Sequence, residues 1–370
     1  MRSFSPALLL LLVGCAGLRP FPPPSACPAP GGNVDALWSC IGDPNPAPKE
    51  GGLASTLRIA NGDLTRRVIL NQTPSLACNT KPWNGFEHVS LAVEGADRLE
   101  AFVHTGDGTR PVVFVVHGLY DSNSNRYVRY VASALAANGF GVVVPDMRWH
   151  GCLIGLTNTL GVLESADLLA WAKAIRNGQI ASLAKRPIGM IGFSLGALDV
   201  IDTASLPEAV SHFDAGAIAV SPPADVANVR ERLDHLRTPM ALYFRLTLRM
   251  RNRRLGIPFW SRRPFQAYLE KVAATTPFPT MDQLIAAAEP TKRLAGVRRP
   301  LLILAAKNDP VLGQNAADSI AHAADPSLTY VHVIETNEGG HIGIIGRDPQ
   351  WFVNAITNFF ANAPHVPPRP

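Results

Sequence analysis

Six short runs, apolar on both faces, limit most strongly what this chain can fold into. They are residues 111–116, 141–144, 188–193, 215–220, 301–306 and 329–334. A strand with one wet face alternates apolar and polar residues. A strand apolar throughout is covered on both sides, as in a parallel sheet. Stretches of helical character, residues 127–138, 164–177, 195–206 and 316–323, lie between several of the runs, and a last one spans 349–362. Alternating strand and helix predicts a doubly wound, mostly parallel α/β sheet with helices on both faces. Upstream, residues 57–60 and 67–70 flank Asn61-Gly62-Asp63, and residues 88–93 and 99–103 flank Glu94-Gly95-Ala96-Asp97. These read as antiparallel hairpins that begin the sheet.

The first fourteen residues carry a different signal. Arg2 precedes an apolar run over residues 7–13, too short to span a bilayer as a mature helix. This is the layout of an export signal. It ends in Leu12-Val13-Gly14-Cys15, which resembles the lipobox of bacterial lipoproteins. The expectation is a signal peptide over 1–14, lipidation of Cys15, and an exported protein held at a periplasmic or cell-surface membrane. An ordinary signal peptide, cleaved after Ala16 or Gly17, is the plainer alternative. Setting Cys15 aside leaves Cys27, Cys40, Cys78 and Cys152, enough for two disulfides in an oxidising compartment. Of the three possible connectivities, Cys27 with Cys40 has the short intervening loop. No C-x-x-C or Cys/His cluster points to a metal. The formal charge of +5 is mild for 370 residues and gives no sign of nucleic-acid binding.

Chemistry enters at Gly192-Phe193-Ser194-Leu195-Gly196, a G-x-S-x-G placed after an apolar strand and before a helical stretch. Such a turn is tight enough to demand small neighbours, and it raises the serine hydroxyl at the sheet edge. A serine hydroxyl is a poor nucleophile until a base takes its proton. His341, in Gly339-Gly340-His341, follows the last strand-like run and is the candidate base. His322 and His332 sit inside a helical stretch and a strand, and read as structural. Asp309, just past the 301–306 run, is the candidate acid, with Asp225 as runner-up. Backbone N–H donors for an oxyanion are expected from Leu195 and from Leu119 in His117-Gly118-Leu119-Tyr120, with His117 itself structural.

Taken in order, His117-Gly118-Leu119, Ser122-Asn123-Ser124-Asn125, Asp146-Met147-Arg148-Trp149-His150-Gly151, Gly192-Phe193-Ser194-Leu195-Gly196, Asn308-Asp309-Pro310-Val311 and Gly340-His341-Ile342-Gly343 resemble the α/β-hydrolases, most closely their YheT-like branch. The chain departs from that branch at Ala197 and at Leu198-Asp199. The resemblance, over about residues 85–362, implies an α/β-hydrolase fold. It also implies a Ser194, Asp309, His341 triad acting on small-molecule or lipid ester or thioester substrates without a cofactor. An amide-cleaving enzyme on the same triad, or a catalytically silent lipid-anchored binding protein, are the alternatives.

The organisation that follows is a Pro-rich tether over 15–52, within which residues 34–41 could fold locally if Cys27 and Cys40 join, a hydrolase body over 53–362 and a loose tail over 363–370. Residues of about 222–297 are more than a crossover needs and read as a helical cap. There Leu242, Leu246 and Met250 recur every four residues among many arginines. This stripe is expected to pack on the core and leave the arginines solvated. The functional alternative is a lid that meets anionic lipid headgroups or an acidic substrate.

Overall fold

The computed structural model describes residues 33–42, 44, 78–93, 96–235, 239–309, 311–313, 319–320 and 328–369. Its strands are β1 (Glu87–Val93), β2 (Ala96–His104), β3 (Val112–Val116), β4 (Gly141–Pro145), β5 (Ile188–Phe193), β6 (Ala217–Val220), β7 (Leu301–Ala306) and β8 (Val331–Thr336). They form one sheet in the order β1-β2-β4-β3-β5-β6-β7-β8. β1 pairs antiparallel with β2, and β2 with β4; every other pairing is parallel. All residues of β3, β4, β5, β6 and β7 are buried, as runs apolar on both faces require.

Alternate side chains feed two cores. On one face, Val113, Val115, Ile191, Phe193 and Leu304 pack with helices α2 (Arg126–Ala137), the short α10 (Ile344–Arg347) and α11 (Pro349–Asn362). On the other, Val112, Phe114, Val116, Met190 and Ile303 pack with α3 (Glu164–Arg176), α4 (Leu195–Ser205) and the short α5 (Ala209–His212). Register then sets the site. Val116 pairs with Gly192, which levels the carboxyl ends of β3 and β5. Ala306 pairs with Thr336, which levels those of β7 and β8. The next two strands of the chain flank β3, β4 on one side and β5 on the other, the kind of switch point where open α/β sheets form their crevices.

Between β6 and β7 the chain leaves the sheet for α6 (Val226–His235), α7 (Pro239–Asn252), α8 (Pro264–Ala273) and α9 (Met281–Ala287). These cap helices share a third core, built on Val229, Leu233, Phe265, Tyr268 and Leu284, with Tyr120, Leu195 and Leu198 from the sheet edge.

Two expectations about the ends are corrected. Part of the supposed tether folds onto the body. Asn33 caps helix α1 (Val34–Ile41), and Leu37 and Ile41 enter the main core. Trp38 stacks on His332 at 5.0 Å and donates from Nε1 to the Thr329 carbonyl, while Trp351 donates to that of Gly42. A local amphipathic turn thus finds an apolar face that no nearby residue supplies. The tail is not loose. Ala363 and Val366 are fully buried, and the carbonyls of Val366 and Pro367 accept from Arg299 and the Tyr330 hydroxyl. Its prolines stop the helix without stopping the packing.

Cys78 is bonded to Cys152, a pairing the sequence left open. Cys40 is also disulfide-bonded, to a partner outside the described residues. The hairpin expected over 57–70 and most of the 316–323 helix also lie outside them.

Candidate active site

β5 ends at Phe193 and α4 begins at Leu195, so Ser194 alone makes the turn. It does so at φ 55° and ψ −114°, with its N–H donating to the Val220 carbonyl at 2.9 Å. A positive φ is strained for serine and persists only where the surroundings enforce it. The two glycines of the motif are required by close approach. A Cβ on Gly192 would lie 2.0 Å from the Gly196 carbonyl oxygen, and one on Gly196 would lie 2.5 Å from that of His117.

Ser194, His341 and Asp309 come together although 147 and 32 residues separate the successive partners. His341 Nε2 lies 2.8 Å from Ser194 Oγ, and its Nδ1 lies 2.7 Å from Asp309 Oδ2. An ionised carboxylate only accepts, so Nδ1 carries the proton and the Nε2 lone pair faces the serine O–H. Asp309 Oδ1 accepts the N–H groups of Val311 and Leu312 at 2.7 and 2.9 Å. Those two bonds fix the carboxylate and leave Oδ2 to the imidazole. Asn308 Oδ1 accepts from Gly339 and Gly340, tying the histidine loop to the acid loop. His341 is wholly buried. Asp225 is instead an exposed residue that accepts the Asn228 N–H at the start of α6, and His332 lies in β8 against Trp38. His322 lies outside the described residues.

The loop after β3 presents Leu119 beside the serine by occupying the amides on either side. The Gly118 N–H donates to the Tyr127 hydroxyl at 2.9 Å, and that hydroxyl donates to Asp121. The Tyr120 N–H donates to His150 Nε2 at 3.0 Å. Neither Leu119 nor Leu195 donates its N–H to an acceptor among the described residues. Both line the cavity with Ser194. An N–H without an acceptor at a buried site is costly unless a ligand or water takes it.

The two histidines behind this loop are neutral acceptors. His150 Nδ1 faces the Arg148 carbonyl and His117 Nδ1 that of Gly118, so each Nε2 is left to accept, from Tyr120 and from Met147. Burial holds His117 down to about 4 and His150 well below its usual value. Asp146, pushed up to about 6 by burial, accepts from the Asn123 and Cys152 amides. The sequence marked these residues as motif members, without revealing that they orient Leu119. Their only sequence signal was a polar cluster directly after β3 and β4.

Above Ser194 lies a small cavity of about 40 Å³, walled by Leu119, Leu160, Leu198, Val229, Leu233 and Phe265 among others, with Ser194 its sole polar side chain. The cap is fastened over it by Arg251. This guanidinium is 1% exposed, donates to the Tyr120 carbonyl at 3.1 Å and lies 5.1 Å from the Tyr120 ring centre. Burial lowers it to about 10.

Helix α7 is turned opposite to expectation. Leu242, Leu246 and Met250 are 53%, 50% and 42% exposed, while Thr247, Leu248, Arg251 and Asn252 are buried. Arg251 reaches Tyr120, and Asn252 donates to the Pro264 carbonyl. These polar tethers decide the facing, and periodicity alone does not report them.

Behind the elbow helix, Asp199 and Asp202 are buried, with no hydrogen bond to their carboxylate oxygens among the described residues. Burial and the neighbouring Glu164 and Asp202 push Asp199 well above the carboxylate range, and burial pushes Asp202 up to about 7.

Comparison with known proteins agrees with this fold. A monoacylglycerol lipase of Saccharomyces cerevisiae is 25% identical over 285 residues, 68% of this chain and 59% of that protein's length. The chain therefore spans well under two thirds of that relative. An esterase of Pyrococcus furiosus superposes with a TM-score of 0.55 at 20% identity, covering 78% of this chain and 98% of the esterase. An acylaminoacyl peptidase of Pyrococcus horikoshii gives 0.54 at 15% identity, covering 76% and 42%. At these identities the two structures speak for the fold alone. The profile of the alpha/beta hydrolase family matches residues 112–355, from β3 into the last helix, and the chain belongs to that family.

Proposed function

We propose that this chain is a serine hydrolase that cleaves carboxylester or thioester bonds through an acyl-enzyme on Ser194. The observation that carries the reading is the hydrogen-bonded series Ser194, His341, Asp309 opening into an apolar cavity. His341 takes the Ser194 proton as Oγ attacks the carbonyl carbon. The Leu195 and Leu119 amides receive the oxyanion, and His341 returns the proton to the leaving alcohol or thiol. Water activated by His341 then attacks the acyl carbon and frees Ser194. Asp309 stabilises the imidazolium that forms in each half. The cavity takes the acyl chain of the ester, because one fatty chain satisfies walls that offer it no polar group. The yeast lipase relative supports an ester; amides stay in the test panel because the same triad can serve either bond.

The test is labelling of the full chain with a fluorophosphonate probe. The wild type is expected to label, and Ser194→Ala and His341→Ala are not. A folded wild type that fails to label would overturn the reading and favour a binding protein on the same fold. Ester, thioester and amide substrates with matched acyl groups then define the bond.

Export and lipidation of Cys15 belong to the same reading. Their support is the signal layout before Cys15 and the Cys78–Cys152 disulfide, which suits an oxidising compartment. Likewise, the ordered motifs support a place in the YheT-like branch. Metabolic labelling with a fatty acid, compared with Cys15→Ala, tests the anchor; equal labelling of the two would remove it.

A further inference from the structure

Among the described residues, the five exposed large hydrophobic side chains all lie in the cap: Leu242, Leu246, Met250, Phe259 and Trp260. Three form one stripe on α7, since residues four apart on a helix lie 40° apart around it. The other two sit on the turn leading to α8, and Trp260 is 81% exposed. Arg249 joins stripe and turn, donating from α7 to the Ser261 carbonyl at 3.1 Å. Apolar surface left together in this way marks an interaction face.

The charge along its own segment is of one sign. Residues 235–269 hold eight arginines and not one Asp or Glu. Arg253 and Arg254, after α7, and Arg262 and Arg263, after Trp260, are exposed. At 100° per residue, Arg245 and Arg249 border the stripe on the same outward side. A second copy docking through this face would set arginine against arginine, so charge argues against a symmetric dimer. An anionic lipid surface matches both parts, the headgroups taking the arginines and the acyl boundary taking the Leu, Met and Trp side chains. No helix among the described residues is long and apolar enough to cross a membrane, so this contact would lie in the interface.

We infer that the cap, through the α7 stripe and the Phe259-Trp260 turn, docks on the surface of an anionic phospholipid bilayer. The face is independent of Cys15, and it stands whatever bond Ser194 cleaves. It would set the cap that covers the cavity against the lipid phase.

The experiment uses the full chain with vesicles containing brominated lipids, of phosphatidylglycerol or of phosphatidylcholine, reading tryptophan emission. Of the six tryptophans, Trp83, Trp149, Trp171 and Trp351 are buried and Trp38 is half-buried, so Trp260 is the reporter. Phosphatidylglycerol vesicles are expected to quench and blue-shift the emission, an effect lost in Trp260→Phe. Binding should weaken at least about tenfold in Arg253→Glu/Arg262→Glu and in Leu246→Asp, and also in high salt. An unchanged thermal midpoint in these exposed variants shows that the fold is intact. Quenching that survives in Trp260→Phe, or equal binding to both lipids, would overturn the inference. So would concentration-dependent self-association that these substitutions abolish. Fluorophosphonate labelling of Ser194 in the same samples separates failure of this inference from failure of the hydrolase reading.

Discussion

The floor of the site and the cap above it are held by different means. On the floor, backbone sets every position: the Ser194 turn, the Gly192 and Gly196 approaches, the two amides on Asp309 and the two on Asn308. In the cap, apolar contacts and a few polar tethers such as Arg251 hold four helices, and an apolar stripe remains outside. Positions fixed by backbone leave no slack for repacking. Positions fixed by side-chain contact tolerate change of size more readily. The proposed chemistry therefore rests on the rigid part, and the proposed substrate choice and contact surface on the adaptable part.

Four substitutions can break or sharpen that contrast. His341→Ala should lower kcat/KM on a p-nitrophenyl ester by roughly 10⁴- to 10⁶-fold, as in serine hydrolases generally, without lowering the thermal midpoint. A smaller loss, with the fold intact, would mean that another base serves Ser194. Gly192→Ala drives a Cβ to 2.0 Å from a backbone oxygen, and should cost about 3 kcal/mol of stability, read from urea unfolding. A near-neutral result would show that the floor has slack after all.

The third tests the buried carboxylates under the elbow helix. Asp199 has its carboxyl raised well above the usual value in the folded protein, so the folded state binds its proton more tightly than the unfolded chain. Stability from that proton is full below about pH 4 and is lost as pH rises from there through the folded value. Asp199→Asn should therefore gain about 1–3 kcal/mol at pH 8 and little at pH 4, by urea midpoints at each pH. A gain that is the same at both would separate the effect from the charge. Mildest is Val229→Phe, which fills the cavity from the cap. It should cut kcat/KM for a long-chain ester roughly tenfold relative to an acetate, at unchanged stability. Equal loss on both esters would mean that the acyl chain lies elsewhere.

Much of the floor was legible in the sequence, because its causes are local. A run apolar on both faces has few uses besides a covered strand, and β3 through β7 lie where those runs do. The series Ser194, Asp309, His341 could be read because each residue follows a recognisable strand end. What escaped was decided between distant segments. The roles of Asn308 and His150 depend on partners in other loops, with 30 residues separating His150 from the Tyr120 amide it accepts. The Cys78–Cys152 pairing joins residues 74 apart, and the sequence offered it only as the remainder once the short loop pairs Cys27 with Cys40.

The α7 stripe draws the boundary most clearly. By itself the sequence determined that Leu242, Leu246 and Met250 share one helical face, since 3.6 residues per turn leaves no other outcome. Which way that face points was settled only by tertiary structure. Arg251, 131 residues from Tyr120, binds its carbonyl and draws the polar side of the helix inward. Periodicity fixes which side chains travel together, whereas the direction they face follows from contacts that exist only once the sheet and the cap have met.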